Sequence, residues 1–271
     1  MIKYTMIVSD VDGTLFQKDN KLDPVTVELV RKFHNSGGIF TLATGRMKKS
    51  IEPFIQTLQI GFPVIVYNGA QIIDPVTNQV LTAHTLDREL AREALRLLKR
   101  FPLDLIMHVN QQPYVRGYSE AVVDHMKKDG IHCHVTKEFD ELIEAPPTKM
   151  LIIGNPNLLQ QFADQLIANV GYDFHPVYSS WNYLEILPAD ATKGNALKTL
   201  STIRGIPLER IVAIGDERND VSMLKAAGLG VAVANANEEV IHQADRVTTG
   251  SWNKGLEEVI REIILSNQAA Q

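Results

Sequence analysis

The chain has 271 residues, of which 45% are hydrophobic and 22% are charged, values typical of a globular protein rather than a disordered one. Its formal net charge of −5 argues against a broad nucleic-acid-binding surface, although local cations or a metal could still recruit an anionic substrate. Cys133 is the single cysteine, which excludes an intrachain disulfide. The N-terminus lacks signal-peptide features and no run reaches the roughly 18 apolar residues that span a bilayer, so we expect a cytoplasmic protein without a membrane partner.

The N-terminal part of the chain alternates predicted strands with predicted helices. Asp23 and Pro24 have the residue types of an N-cap and of a first helical position. The apolar stripe predicted for this helix consists of Val25, Leu29, Val30 and Phe33. The other elements predicted here are strands over 5–8, 39–43 and 64–66 and a helix over 50–58. Strands and helices that alternate at this spacing predict a parallel sheet with right-handed crossovers.

A different pattern separates the middle of the chain from both ends. Residues 71–75 and 78–81 resemble a small hairpin, and short strands (105–109, 150–153) then mix with helices (88–99, 158–170). The alternation returns with a helix that begins at 192–194, a strand over 211–214, an apolar run over 229–233 and a last helix over 256–265. The sequence therefore predicts an α/β fold whose parallel-sheet domain, 1–83 with 184–271, carries a second α/β domain inserted over 84–183.

Three polar clusters follow predicted strands of the first domain. They are Asp10–Thr14, Thr44–Arg46 and Gly215–Asp220. Open α/β sheets bind their ligands beyond the carboxyl ends of the strands, so clusters far apart in sequence are expected to meet there.

The residue types of these clusters suit phosphoryl transfer. Two carboxylates one residue apart after a buried strand, Asp10 and Asp12, need a neutralising partner, and Asp216 offers a further oxygen ligand at a second strand end. Mg²⁺ prefers such oxygen ligands together with substrate phosphate. Thr44 offers a hydroxyl donor and Lys193 a positive charge, which are groups that position a phosphoryl group. These residues alone do not separate a nucleophile from an acid/base.

Four motifs follow one another along the chain: the three polar clusters above, with the segment around Lys193 before the last of them. In this order they resemble the motifs of the haloacid dehalogenase-like (HAD) phosphatases. The long insertion resembles the Cof-type branch, subfamily IIB, and the segments Tyr67–Ala70 and Gly228–Val233 also match that branch. The resemblance implies a Rossmann-like HAD core with an inserted C2B-type α/β cap. It also implies that the cap closes over the core and contributes to substrate specificity.

The resemblance assigns the chemical roles. Asp10 would be the nucleophile and a Mg²⁺ ligand, and Asp216 would complete the protein ligands. Asp12 would protonate the leaving oxygen and then activate water, while its main-chain carbonyl binds the metal.

Further residues would hold the phosphate or support the site. The phosphate would be bound by the Val11 backbone N–H and by Thr44, Gly45, Lys193 and Asn219. Asp220 would orient Lys193 or a metal-bound water, and Asn68 and Gly69 would support the site or contact substrate. For Arg46 two alternatives are equal: it contacts the substrate, or it pairs with a nearby carboxylate.

Three functions are compatible with these motifs. The leading hypothesis is Mg²⁺-dependent hydrolysis of a small phosphorylated metabolite, such as a sugar phosphate, by a monomer or weak homo-oligomer with no nucleic-acid partner. The second is phosphoryl transfer between sugar positions, as in phosphomutases. The third is a non-catalytic module that binds a phosphorylated metabolite, which the intact Asp10 and Asp12 pair disfavours.

A second group of metal-ligand residue types occurs at His132, Cys133 and His134. In a strand, His132 and His134 would share one face while Cys133 points to the other. No fourth ligand is evident, so a structural role is favoured over a metal site.

Overall fold

The computed structural model describes residues 4–16, 20–171 and 173–269. The strands are β1 (Met6–Ser9), β2 (Ile39–Leu42), β3 (Val64–Val66), β4 (Gln71–Ile73), β5 (Val80–Ala83), β6 (Asp104–Val109), β7 (Gln112–Val115), β8 (His134–Val135), β9 (Lys149–Ile153), β10 (Phe174–Ser180), β11 (Tyr183–Pro188), β12 (Ile211–Gly215), β13 (Leu229–Ala232) and β14 (Arg246–Val247). The helices are α1 (Pro24–Asn35), α2 (Lys48–Thr57), α3 (Arg88–Leu98), α4 (Glu120–Asp129), α5 (Phe139–Leu142), α6 (Pro156–Val170), α7 (Lys193–Arg204), α8 (Val221–Ala226), α9 (Glu238–Gln243) and α10 (Asn253–Ala269). Among the described residues, no helix has the length and apolar character to cross a membrane.

Helix α1 begins as its sequence predicts. The Asp23 carboxylate accepts a hydrogen bond from the Val25 N–H at 2.8 Å, and Pro24 occupies the first turn, where it breaks no helical hydrogen bond. The buried face, however, contains Thr26 in place of Val25, which is 40% exposed. The prediction for Val25 was wrong because the Thr26 hydroxyl donates a buried hydrogen bond of 2.9 Å to Glu257 of α10, a partner that helical periodicity does not reveal.

The predicted parallel sheet is confirmed. It has the strand order β14-β13-β12-β1-β2, and every neighbouring pair is parallel. Ser9 at the end of β1 is in register with Leu42 of β2 and with Ile214 of β12. The carboxyl ends of these three strands therefore lie side by side, and the segments that follow them leave the sheet at the same end.

Strand β3 departs from the predicted pattern. It is antiparallel to β4 in a separate three-stranded sheet of order β3-β4-β5, which includes the predicted hairpin. One parallel bridge, between Ala43 and Ile65, joins β3 to the end of β2. The polar segments after β2 and β3 are thereby brought together.

The chain divides into two compact units, one formed by the residues up to Thr82 and from Thr192, the other by Ala83–Ala191. The sequence placed the second boundary after Tyr183, inside what the structure defines as β11. This strand pairs antiparallel with β9 and β10, so its hydrogen bonds keep it in the second unit and move the division to Ala191.

The second unit is a six-stranded sheet of order β10-β11-β9-β6-β7-β8 with α3 and α6 against one face. Leu105, Met107 and Ile152 belong to the apolar core on that face. Successive strand residues point to opposite faces, so Lys149, three positions before Ile152 on β9, points to the other face. There it forms a buried ion pair of 3.2 Å with Glu185. The unit therefore has one apolar and one partly polar sheet face.

The His132–His134 segment has the alternation expected from its sequence. Cys133 is buried, both histidines are exposed, and the two imidazole centroids lie 5.9 Å apart. No other Cys, His, Asp or Glu in the described part of the chain joins the two histidines in a three-ligand group. This arrangement favours the structural role.

Candidate active site

Two buried carboxylates lie at the carboxyl ends of neighbouring strands in the parallel sheet. Asp10 directly follows β1, and its N–H donates to the Ile214 carbonyl of β12 at 2.9 Å. Asp216 directly follows β12. The two side chains join Asp220 in a group in which one carboxylate oxygen of each residue lies within 4.8 Å of the other two. Hard oxygen ligands at this spacing suit a divalent cation such as Mg²⁺.

The loop after β1 closes around Asp216. The Thr14 hydroxyl donates to Asp216 Oδ1 at 3.0 Å. Gly13 has φ +85°, and a Cβ added there would lie 2.0 Å from Asp216 Oδ2. Glycine is therefore required at this position both by backbone conformation and by space.

Asn235 fixes the same loop, and sequence reasoning missed it. Its side-chain amide donates to the Gly13 carbonyl at 3.0 Å, while its Oδ1 accepts from the Trp252 N–H at 2.6 Å. Asn235 follows β13, so the rule that ligands lie beyond strand ends could have identified it.

Lys193 links two carboxylates of the group. Its Nζ lies 2.5 Å from Asp10 Oδ1 and 2.6 Å from Asp220 Oδ1, and its side chain is fully buried. The residue opens α7, which Thr192 caps by accepting a hydrogen bond from the Asn195 N–H. Gly69 packs against this cap, because a Cβ there would lie 2.2 Å from the Thr192 carbonyl oxygen. Glycine at position 69 therefore leaves the space that the start of α7 occupies.

Burial dominates the electrostatics of these groups. It raises the pKa of the Asp10 carboxyl to about 7, against the lowering effect of Lys193. Burial also raises the pKa of Asp216 to about 9, and the Asp10 and Asp220 carboxylates add to this rise. Burial disfavours the Lys193 ammonium, but the same two carboxylates outweigh it and hold its pKa above the ordinary value. When all three carboxyls are ionised, one ammonium does not balance their charge, and a further cation would complete the balance.

Asp220 is occupied by protein donors on both oxygens. Oδ1 accepts from Lys193, and Oδ2 accepts from the backbone N–H groups of Asp216 and Glu217, each at 3.0 Å. Of the two predicted roles for Asp220, these contacts favour the orientation of Lys193.

A polar cluster lies where the segments after β2 and β3 meet. The Asn68 N–H donates to the Thr44 carbonyl at 2.9 Å, and the Asn68 side chain accepts from Asn219 Nδ2 at 2.8 Å. A Cβ at Gly45 would lie 3.0 Å from the Asn68 amide nitrogen. The structure therefore brings together four of the predicted residues, Thr44, Gly45, Asn68 and Asn219.

Two donors in the site suit phosphate oxygens. The Thr44 hydroxyl oxygen accepts from the Arg46 N–H at 3.2 Å, a bond that leaves the hydroxyl proton for another acceptor. Within the described part of the chain, the Val11 N–H donates to no protein acceptor. Val11 and Thr44 are almost fully buried, so little water would compete with a bound phosphate for these two donors.

Asp12 has surroundings unlike those of Asp10. Arg46 Nε donates to Asp12 Oδ2 at 2.8 Å and Arg46 Nη2 donates to Oδ1 at 2.6 Å. The Asp12 side chain is 42% exposed, whereas that of Arg46 is 4% exposed. Of the two alternatives for Arg46, the structure shows the pairing with a carboxylate.

Comparison with known proteins gives a consistent result. Residues 7–260 match a family model described as haloacid dehalogenase-like hydrolase. The chain is similar to an HMP-PP phosphatase of Enterobacter sp. (strain 638), with 29% identity over 240 residues, 86% of this chain and 85% of that protein. It is also similar to the 5-amino-6-(5-phospho-D-ribitylamino)uracil phosphatase YitU of Bacillus subtilis (strain 168), with 25% identity over 262 residues, 95% and 96% of the two chains. A crystal structure of a haloacid dehalogenase-like hydrolase from Bacteroides thetaiotaomicron superposes with a TM-score of 0.88 at 27% identity, covering 96% of this chain and 100% of that one.

Proposed function

Because the chain belongs to the haloacid dehalogenase-like hydrolases, we propose that it is a Mg²⁺-dependent phosphatase of small phosphorylated metabolites with Asp10 as its nucleophile. The predicted family, the α/β fold and the enzyme class are confirmed by the family match and by relatives named as phosphatases. The observation that most supports the finer proposal is the buried group of Asp10, Asp216 and Asp220, with Lys193 bonded to two of them.

The donor set fits a magnesium ion. The Asp10 and Asp216 carboxylates, with the Asp12 main-chain carbonyl, would hold the metal. Burial raises the pKa of both carboxyls, so a bound cation would favour their ionised forms. Bound Mg²⁺ would neutralise charge on these ligands and on the phosphate. The remaining chemistry belongs to the residues of this chain.

The reaction would proceed in two displacements at phosphorus. In the first, an Asp10 carboxylate oxygen attacks, the bond between phosphorus and the ester oxygen breaks, and Asp12 gives its proton to the leaving oxygen. In the second, Asp12 takes a proton from water, which attacks the aspartyl-phosphate, releases inorganic phosphate and restores Asp10. The two steps therefore use the same two aspartates: Asp10 forms and then loses its bond to phosphorus, and Asp12 donates and then accepts a proton.

The phosphate oxygens would be held by groups that are already in place. Lys193, the Thr44 hydroxyl, the Asn219 amide and the Val11 N–H would bind them, and Gly45 leaves room beside Asn68. Burial strengthens such contacts because little solvent competes for the donors.

The substrate is proposed only as a class. The two named relatives carry the names of different phosphatases at 25% and 29% identity, so neither name transfers to this chain. A small phosphorylated metabolite, such as a sugar phosphate, remains the proposal. A cytoplasmic location and a monomeric or weakly associated state likewise stay predictions from the sequence.

Phosphate release tests the proposal. Purified protein would be assayed with phosphorylated sugars, nucleotides and cofactors, with Mg²⁺ or with a chelator. We expect Mg²⁺-dependent release of phosphate from some of these compounds and near-complete loss in Asp10→Asn. Activity retained in Asp10→Asn would contradict the role of Asp10. Isomerised product with little free phosphate would favour the mutase alternative, and binding without turnover would favour the non-catalytic module.

A further inference from the structure

Arg46 is an unusually fixed partner for Asp12. The guanidinium forms a two-point ion pair with both oxygens of this carboxylate, at 2.8 and 2.6 Å. Such parallel bonds specify the orientation of a carboxylate as well as its charge, which a single contact does not do.

The position of Arg46 is itself set by aromatic rings. Its guanidinium carbon lies 5.5 Å from the centroid of the Phe16 ring and 5.9 Å from that of Phe54, and these two rings are 5.0 Å apart. A further bond of 2.8 Å joins Arg46 Nη2 to Asn20 Oδ1. Cation–π contacts restrict a guanidinium that would otherwise sample many rotamers.

The two partners differ in their exposure. Arg46 is buried, whereas the Asp12 side chain is 42% exposed and is followed by Gly13. Removal of Arg46 would take both of these bonds from a short side chain that faces solvent. A residue that follows a different strand therefore holds both oxygens of the Asp12 carboxylate.

We propose that Arg46 is a positioning residue that aims the Asp12 carboxyl for proton transfer to the leaving oxygen. This inference rests on the proposed function. The rate of proton transfer decreases steeply when donor and acceptor are misaligned. The two hydrogen bonds from Arg46 to Asp12 therefore increase the rate of leaving-group departure, although Arg46 does not contact the substrate.

Leaving-group dependence tests this role. An alkyl phosphate such as glycerol phosphate needs a proton on its departing oxygen, whereas 4-nitrophenyl phosphate releases a stabilised anion and needs little help. In Arg46→Met, kcat/KM for the alkyl phosphate is expected to fall about 100-fold, and that for the aryl phosphate less than about threefold. Equal losses on both substrates would overturn the proposal.

A double-mutant cycle shows whether Arg46 acts through Asp12. In an Asp12→Ala background, Arg46→Met is expected to lower kcat/KM for the alkyl phosphate by less than about threefold further, because the group it positions is already absent. If the two losses multiply instead, Arg46 acts on the substrate directly and the proposal fails.

A conservative variant covers the case in which Arg46→Met does not fold. Lysine keeps a positive charge at this position beside the rings but cannot form the two parallel bonds. Arg46→Lys is therefore expected to lose about tenfold on the alkyl phosphate and little on the aryl phosphate. Full alkyl-phosphate activity in Arg46→Lys would show that charge alone suffices and would overturn the positioning role.

Arg204 provides a matched control. It pairs with Asp74 at 3.1 Å and lies 5.5 Å from the Phe62 ring centroid, so it has the same types of contact as Arg46. It ends α7, about 16 Å along the helix from Lys193. Arg204→Met is expected to leave the ratio of the two kcat/KM values unchanged, and a shift of that ratio would contradict the proposal. Absence of phosphate release from both substrates in the wild type would instead overturn the proposed function, and this inference with it.

Discussion

The Lys193 Nζ lies 2.5 Å from Asp10 Oδ1, although 183 residues separate them in the chain, and the side chains are 0% and 7% exposed. Buried charges of opposite sign stabilise each other only as a pair, because removal of one leaves the other without compensation. The same contact can therefore be tested through both stability and activity.

Lys193→Met is expected to destabilise the metal-free protein by about 3 kcal/mol near pH 8, because Asp10 and Asp220 lose their shared cation. Acidification should reduce the loss, since protonated Asp10 needs no counter-charge and its pKa is already raised to about 7 by burial. Denaturant unfolding near pH 5.5 and near pH 8 measures this difference. Lys198→Met, at an exposed position of the same helix, is the control and should change stability little. A loss that is equal at both pH values would contradict the pairing.

Asp216→Asn is expected to stabilise the metal-free protein while it weakens Mg²⁺ binding. Burial raises the pKa of Asp216 to about 9, so this group favours folding below the ordinary carboxyl pKa and loses that contribution as pH rises through 9. Asparagine keeps an acceptor for the Thr14 hydroxyl and carries no charge. We expect a gain of about 1–3 kcal/mol near pH 8.5 in a chelator, and almost none near pH 4. Unfolding curves in chelator check the sign, with exposed Asp173→Asn as the control.

Binding of Mg²⁺ should release protons. Asp10 and Asp216 have raised pKa values of about 7 and 9, and each carboxyl must be ionised to bind a metal. The apparent affinity is therefore expected to increase at least about tenfold between pH 6.5 and pH 8.5. Calorimetry in buffers of different ionisation enthalpy counts the protons directly. An affinity that is independent of pH over this range would contradict the assignment of these two ligands.

Gly13→Ala is expected to abolish activity by displacing Asp216. The added Cβ would lie 2.0 Å from Asp216 Oδ2, far inside van der Waals contact, in a backbone with φ +85°. Gly37 separates the two effects because its φ is +83° and nothing lies within 4 Å of a Cβ added there. Gly37→Ala should cost about 1–2 kcal/mol of stability from backbone strain and leave kcat/KM unchanged. Comparable activity in the two variants would show that the space beside Asp216 is not required.

Much of this arrangement follows from local sequence. The residue types at Asp23 and Pro24 predicted the start of α1, because capping needs only neighbouring backbone groups. Short apolar runs predicted β1 and β12 with acidic segments after them, and the motif order indicated the family. These features depend on interactions within a few residues or on the order of motifs along the chain.

Other features required distances that the sequence does not contain. The sequence placed Asp10 and Asp12 in one motif. Only the tertiary structure shows that Asp10 bonds to buried Lys193, whereas Asp12 pairs with Arg46. It likewise left open whether Arg46 meets substrate or carboxylate, and it did not indicate Asn235. The sequence by itself determined the residue types of each motif and the order of the motifs, which indicates the family. The tertiary structure decided which partner each one has, because burial and side-chain direction arise from strands and helices that meet only when the chain folds.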